Sequence, residues 1–391
     1  MRFNSAGDTT SLPLDATVGL NTAIPVGERF ARQVSATEFE VDRMDPSAWD
    51  ALIATFEDGR CEQLYSYAAG AWGSERLSHL VVKRGGRIIG AAQAVLLRPP
   101  GVDRGVAYVK FGPLWRCKGQ TPRAADLEFI LEALIWEYAR RRSMHVTVLP
   151  RPEPEFTPLI TKALGTCGFR SRRAMADPNR YLVDLSLGCE EQRQSLSQKW
   201  RYNLRRTECH AIDIDIEESP EALAIFKSLY RSMCRRKRFR DTSSYHALDD
   251  LFVCPNSGLH PKIILARHAS EVIAGAVVGQ IGDTATYLFG ASNAKALELR
   301  AGYALHWWII GWLARSEARW YDLGGEAEDP GLRQFKKGLV GKAGRIVKLP
   351  GEFDYCESST SAFIAMMIYR VRDLRRACRS IADRMVPAKR L

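Results

Sequence analysis

Apolar and polar residues along the chain follow strand-like and helix-like periods in an order that occurs twice. LVVKRGGRIIGAAQAVLL (residues 80–97) reads as two apolar strands joined by a Gly-Gly turn. IILARHASEVIAGAVVGQI (263–281) repeats the scheme, with Ile88-Ile89-Gly90-Ala91 and Val272-Ile273-Ala274-Gly275 at equivalent places. Each hairpin runs into a third strand, GVAYVKFGPLW or TATYLFGAS, and then into a long helical stretch, residues 124–143 or 302–318. A further strand closes each unit: HVTVL from His145 and WYDLG from Trp320. Five elements in the same order predict a duplicated α/β (α+β) domain whose strands pair mostly antiparallel before the helix.

The connector between the two halves is helical and basic. In EEQRQSLSQKWRYNLRRTECH (190–210), Leu196, Trp200 and Leu204 recur every four residues on one face, which leaves Lys199, Arg201, Arg205 and Arg206 on the others. A second helix opens at Ser219-Pro220-Glu221, where serine caps, proline fits the first turn and glutamate suits the positive helix end. It closes in Arg235-Arg236-Lys237-Arg238. A third amphipathic, arginine-rich helix covers residues 361–385 and is expected to pack on the second domain, with an anionic membrane surface as the alternative. The chain thus divides into an N-terminal arm (1–35), a first domain (36–188), the connector with a second domain (189–355), and the terminal helix (356–391).

Size and charge narrow the partners. At 391 residues the chain exceeds one ordinary core and suits two domains. Lys plus Arg outnumber Asp plus Glu by 56 to 45, and the net charge of +11 favours RNA, a phosphorylated substrate or an anionic membrane. The 9 cysteines include no C-x-x-C pair and no histidine at metal spacing, so reduced thiols and no metal site are expected. Residues 1–33 lack a secretory signal pattern, and LHWWIIGWLA (305–314) has only about half the length that crosses a bilayer. The expected location is the cytoplasm, with peripheral contact at the inner membrane face as an option.

Chemistry concentrates in the second half. Where a strand turns into a helix that begins with small residues, free backbone N–H groups cradle an anion. Leu299-Arg300-Ala301-Gly302-Tyr303-Ala304 occupies that place and approximates the acyl-CoA loop of GNAT acyltransferases. Gly302 and Ala304 match that loop, Leu299 takes the position of its Gln or Arg, and Arg300 falls one place late. In the first half, Arg116 to Thr121 keeps the arginine and the glycine and ends in threonine.

KWRYNLRR (199–206), the helix GYALHWWIIGWLARSEARWYDLGG and DPGLRQFKKGLVGKAG (329–344) together resemble the Fem-type aminoacyltransferases and their relatives with a BioF2-like acetyltransferase domain. The likeness lies in residues 198–344 and is topological over 49–184. Matching positions are Tyr321, Asp322, Gly324, Gly331, Phe335, Lys336, Gly338 and Gly341; Leu339 and Val340 depart from the family pattern. The resemblance implies tandem GNAT-like domains with mixed, mostly antiparallel sheets flanked by helices. It also implies amide formation, in the best-known members by transfer of an amino acid from aminoacyl-tRNA to a cell-wall peptide precursor.

On that basis Lys336 stands beside the acyl-transfer site and stabilises the charge that grows on the carbonyl oxygen. Asp322, Glu326, Glu328 or a substrate phosphate takes the proton of the attacking amine. Lys199, Arg201, Arg205, Arg206 and Arg300, with Gly302 and Ala304, are candidates to hold a phosphate-bearing donor, and Tyr321, Gly324, Phe335, Lys337 and Gly338 to line the site. No tightly bound cofactor is expected; aminoacyl-tRNA or acyl-CoA enters as co-substrate, and the acceptor is an amine, including phosphorylated or lipid-linked ones. Duller roles compete: Lys336 and Lys337 solvating a loop, Asp322 tying a strand end, and Trp307, Trp308 and Trp312 in the core. His306 is expected to be buried, since no nucleophile elbow accompanies it. An acyl-CoA-dependent N-acyltransferase of polysaccharide, lipid or natural-product biosynthesis is the first alternative, and a non-catalytic RNA-binding or scaffold protein the second.

Overall fold

The computed structural model describes residues 39–172, 179–237, 245, 248–253, 257–325 and 329–385. The first half supplies β1 (Phe39–Val41), β2 (Leu77–Arg84), β3 (Arg87–Leu97), β4 (Val106–Lys110), β5 (His145–Leu149), β6 (Arg170–Ser171) and β7 (Asn179–Asp184). The second supplies β8 (Asp213–Glu217), β9 (Lys262–His268), β10 (Glu271–Ile281), β11 (Thr284–Ser292), β12 (Trp320–Gly325), β13 (Arg345–Lys348) and β14 (Phe353–Tyr355). Antiparallel pairing joins β1 to β4 and, in the other half, β8 to β11; parallel pairs β4–β5 and β11–β12 follow. The expected repeat is therefore present. Both predicted hairpins form, the first turning at Gly85 and Gly86, whose φ values of 56° and 78° suit glycine.

The sheets do not respect the expected domain boundaries. Their orders are β1-β2-β3-β4-β5-β14-β6 and β13-β7-β12-β11-β10-β9-β8. Thus β7, from the first half, lies inside the second sheet, while β14, from the second half, lies inside the first. Each half lends the other an interior strand.

Two helices differ from expectation. The connector splits into Cys189–Ser195 and Gln198–Thr207, because Ser197 has an extended backbone and its hydroxyl accepts the Trp200 N–H at 3.3 Å as an N-cap. The terminal helix Ser359–Met385 packs on the first sheet rather than on the second domain: Ala365 and Tyr369 bury against Val106, and the Tyr369 hydroxyl lies 2.6 Å from Thr147 Oγ1.

A buried ion network ties the first half to the turn between β10 and β11. Arg116 donates to Glu57 at 3.0 Å, Glu153 at 2.5 Å and Asp283 at 2.8 Å, and Arg151 also pairs with Asp283. Arg116, the arginine of the first-half loop, is therefore committed to a structural clamp. Asp58 accepts the N–H groups of Trp115 and Arg116 at 3.0 and 3.1 Å. Burial and then the neighbouring Glu153 push its carboxyl up to about 7, against the pull of Arg116.

Candidate active site

The segment carrying Phe335, Lys336 and Lys337 is a helix, Pro330–Val340, begun by Pro at its first turn and by Asp329, whose carboxylate accepts the Gly331 and Leu332 N–H groups. Helical phase separates the two lysines: Lys337 is exposed, whereas Lys336 is 9% exposed and donates to the Gly325 carbonyl at 2.8 Å. Gly338 lets this helix approach Gln198–Thr207, since a Cβ there would meet Ser197 Oγ at 2.7 Å and Trp200 Cδ1 at 3.0 Å.

Asp322 ends the pairing of β12 with β11 and is fully buried. Arg60 Nη2 donates to its Oδ2 at 3.0 Å, Arg180 Nη2 to the same oxygen at 2.7 Å, and the Gly324 N–H to Oδ1 at 2.9 Å. Burial alone would raise this carboxyl, yet the charges of Arg180 and Arg60 hold it well below the carboxylate range. A carboxylate stabilised this far is a poor proton acceptor, so the geometry gives Asp322 an anchoring role in place of the expected base. Glu326 and Glu328 lie outside the described residues.

Around this anchor the two halves of the chain meet. Arg60 comes from the loop before the helix Tyr65–Trp72, Lys110 and Phe111 from the end of β4, Arg180 from β7, and Lys336 from the helix after β12. Arg60, Lys110 and Arg180 surround the Phe111 ring at 5.3, 5.5 and 5.5 Å from its centroid. Among the described residues the carboxylates that face these four cations are Asp322 and Glu62, the latter 3.6 Å from Arg60 Nε. Among the described residues Lys110 Nζ has no hydrogen-bond or ion-pair partner. Burial, relieved by Glu62 and reinforced by Arg180 and Arg60, lowers the Lys110 ammonium. Burial with the charge of Arg180, opposed by Asp322, brings Lys336 down to about 8.

Aromatic rings pack together beyond the point where the pairing of β11 with β12 stops. Their parallel pairing stops at Thr286 and Asp322, and Tyr287 follows directly. The His306 ring lies 4.9 Å from Tyr287, 5.3 Å from Phe335 and 5.9 Å from Tyr321, with Nδ1 at 3.1 Å from the Tyr321 hydroxyl. Burial, and secondarily Lys336, pushes His306 down to about 3, which favours the neutral ring, and the side chain is buried as expected.

The predicted phosphate-holding residues separate into two groups. Arg201 donates to the Gln194 and Leu196 carbonyls and is spent on the preceding helix, while Lys199 reaches Gln334. Arg206 instead donates to the Tyr202 hydroxyl at 3.0 Å, and the guanidinium carbons of Arg206 and Arg300 stand 5.9 and 6.0 Å from the Tyr202 ring. Arg205 lies exposed on the same helix. Arg300 sits in the left-handed region at φ 57° before the helix Ala301–Leu313, and its buried Nη1 has no hydrogen-bond partner among the described residues. A Cβ on Gly302 would meet nothing within 4 Å, so the backbone there is open to a ligand. Ala304 faces another feature, a cleft of about 370 Å³ lined by Leu204, Ile214, Trp307, Trp308 and Trp312, which are only half-buried apart from Leu204. No residue of the ion cluster lines it.

Arg60, Lys110 and Arg180 were not singled out by the sequence reading. Each sits in a stretch without a motif, and only the meeting of distant segments brings Arg60 and Arg180 to Asp322 and Lys110 beside them at Phe111.

This pair of sheets, with its parallel strand junction and N-terminally open helix, has a tandem GNAT-like fold. Residues 190–337 match the acetyltransferase (GNAT) domain family. FemX has the same fold, with a TM-score of 0.66 at 16% identity over 81% of this chain and 97% of that one. A protein of unknown function from Bacteroides thetaiotaomicron gives a TM-score of 0.57 at 11% identity over 82% and 100% of the two chains. The C-terminal domain of a protein described as a lysylphosphatidylglycerol synthetase from Agrobacterium fabrum gives 0.55 at 13% identity over 81% and 94%. No curated protein matches the chain in sequence.

Proposed function

We propose that the protein forms amide bonds by moving an aminoacyl group from aminoacyl-tRNA to an amine acceptor that carries a carboxylate or phosphate. The observation behind this is the excess of positive charge among the described residues of the junction: Arg60, Lys110, Arg180 and Lys336 against Glu62 and Asp322. Unpaired buried charge is costly, and an anionic acceptor relieves it while placing an amine near Lys336. The Lys336 ammonium, held in a dry site, then stabilises the oxyanion as the ester carbonyl is attacked. As the amide forms, the ester C–O bond breaks and the tRNA ribose oxygen leaves as a hydroxyl; the proton it needs is the one the amine gives up, carried by the substrate phosphate or by solvent, since Asp322 is locked by two guanidinium groups. Arg206, Tyr202, Arg300 and the open start of Ala301–Leu313 suit the phosphates of the donor.

Acyl-CoA is the second donor to consider, because Gly302 leaves the helix start open. Against it, Leu299 stands where the acyl-CoA loop carries Gln or Arg.

The test uses the purified full chain, tRNAs charged with labelled amino acids, acyl-CoAs, and amines with or without an acidic group. Label should reach the acidic amines and be lost on RNase treatment. Turnover with acyl-CoA alone would transfer the assignment to the second donor, and RNA binding without any transfer would leave a scaffold.

A further inference from the structure

The terminal helix Ser359–Met385 is two-faced, and among the described residues only one face has a partner. Ser361, Ala365 and Tyr369 are buried; Ser361 Oγ donates to the Ser143 carbonyl at 2.6 Å, and the Tyr369 ring lies 3.5 Å beneath the Arg172 guanidinium. Arg372 turns to the same side, 3.5 Å from Glu352. At about 100° per residue these positions fall within a sector about 80° wide. Phe363, Met366, Met367, Val371 and Leu374 fall in the opposite sector, about 140° wide. They are 59, 40, 44, 44 and 64% exposed. A contiguous apolar strip of this size on a water-facing helix marks a docking surface.

We propose that this outward face docks the protein on an anionic lipid surface, with the helix lying in the plane of the headgroups. Charge decides the occupant. The helix sequence holds six arginines and two aspartates. Arg370 stands exposed within the apolar sector, with no ion-pair partner among the described residues. Two copies of such a face would bring like charges together at the centre of the contact, whereas an anionic bilayer neutralises them and accepts the apolar side chains. No described helix is long and apolar enough to cross a membrane, so the contact is peripheral. The proposal does not depend on which acyl donor the enzyme uses.

Vesicle sedimentation tests it with the full chain. Vesicles with equal parts phosphatidylglycerol and phosphatidylcholine should pellet the protein, pure phosphatidylcholine should not, and added salt should weaken the binding. The double substitution Phe363→Glu with Leu374→Glu should lower partitioning about tenfold or more and leave the thermal unfolding midpoint unchanged, because both side chains face water. Binding that ignores both headgroup charge and these substitutions would overturn the proposal. So would a dimer in analytical ultracentrifugation that the double substitution dissociates, which would make a second copy the occupant. A failure to bind vesicles, together with strong hydrogen-exchange protection along residues 363–374, would likewise overturn it by showing that another part of the chain covers the face.

Discussion

Arg60 and Asp322 are 262 positions apart in the chain, and Nη2 of one lies 3.0 Å from Oδ2 of the other with both side chains buried. The contact carries the junction between the halves: the carboxylate pins an arginine from the first and, through Arg180, a strand exchanged into the second.

Asp322→Ala should therefore destabilise the whole molecule, leaving two guanidinium groups buried without their anion. Loss of one partner of a buried ion pair costs about 3–5 kcal/mol. Denaturant unfolding should show this, while a loss below about 1 kcal/mol would mean that water reaches the pair. The folded carboxyl lies below its unfolded value, so its stabilisation is present at neutral pH and disappears as pH falls below the ordinary carboxylate range.

Lys336 gives a kinetic signature. If its ammonium stabilises the oxyanion, transfer should decline as pH rises through about 8. Lys336→Arg stays charged and should remove that alkaline decline; Lys336→Ala should slow turnover by about two to three powers of ten. Wild-type rates in the alanine variant would take this lysine out of the mechanism.

Asp58 should set a pH slope in stability. Its carboxyl is raised in the folded state to about 7, so the folded protein holds that proton more tightly than the unfolded chain. The contribution is complete below the unfolded value and is lost as pH rises through about 7. Between about pH 6 and about pH 8 the loss should be about 1.4 kcal/mol for one proton. Asp58→Asn should flatten this slope whatever its absolute stability, which urea titrations at several pH values would read.

Two glycines should respond in opposite directions. Gly338→Ala pushes a methyl against Ser197 and Trp200 and should cost about 1–3 kcal/mol. Gly311→Ala lies within a helix, faces open space, and should stabilise by about 0.5–1 kcal/mol. Matched thermal melts would decide, and equal shifts of the same sign would contradict the packing described.

Periodicity made the repeated hairpins, the strands after the long helices and the amphipathic connector legible, because those patterns are local. Lys336 was legible through its place between Phe335 and Gly338, and His306 through the absence of any companion nucleophile. The helical setting of Lys336 was less so: Pro330 and Gly331 read as loop residues, although Asp329-Pro330 also starts a helix. Nothing local announces Arg60, Lys110 or Arg180, whose meaning arises from tertiary pairing. The same holds for β7 and β14, short strands whose sequences do not mark which sheet they join.

The mutual loan of these two strands has a consequence for how the protein is made. As the chain leaves the ribosome, the first sheet must wait with an unfilled slot between β5 and β6 until residues beyond 350 arrive, holding raw backbone edges open to stray pairing. Cutting the gene at the connector would yield two fragments that each miss an inner slat, so the halves should regain solubility only when produced together.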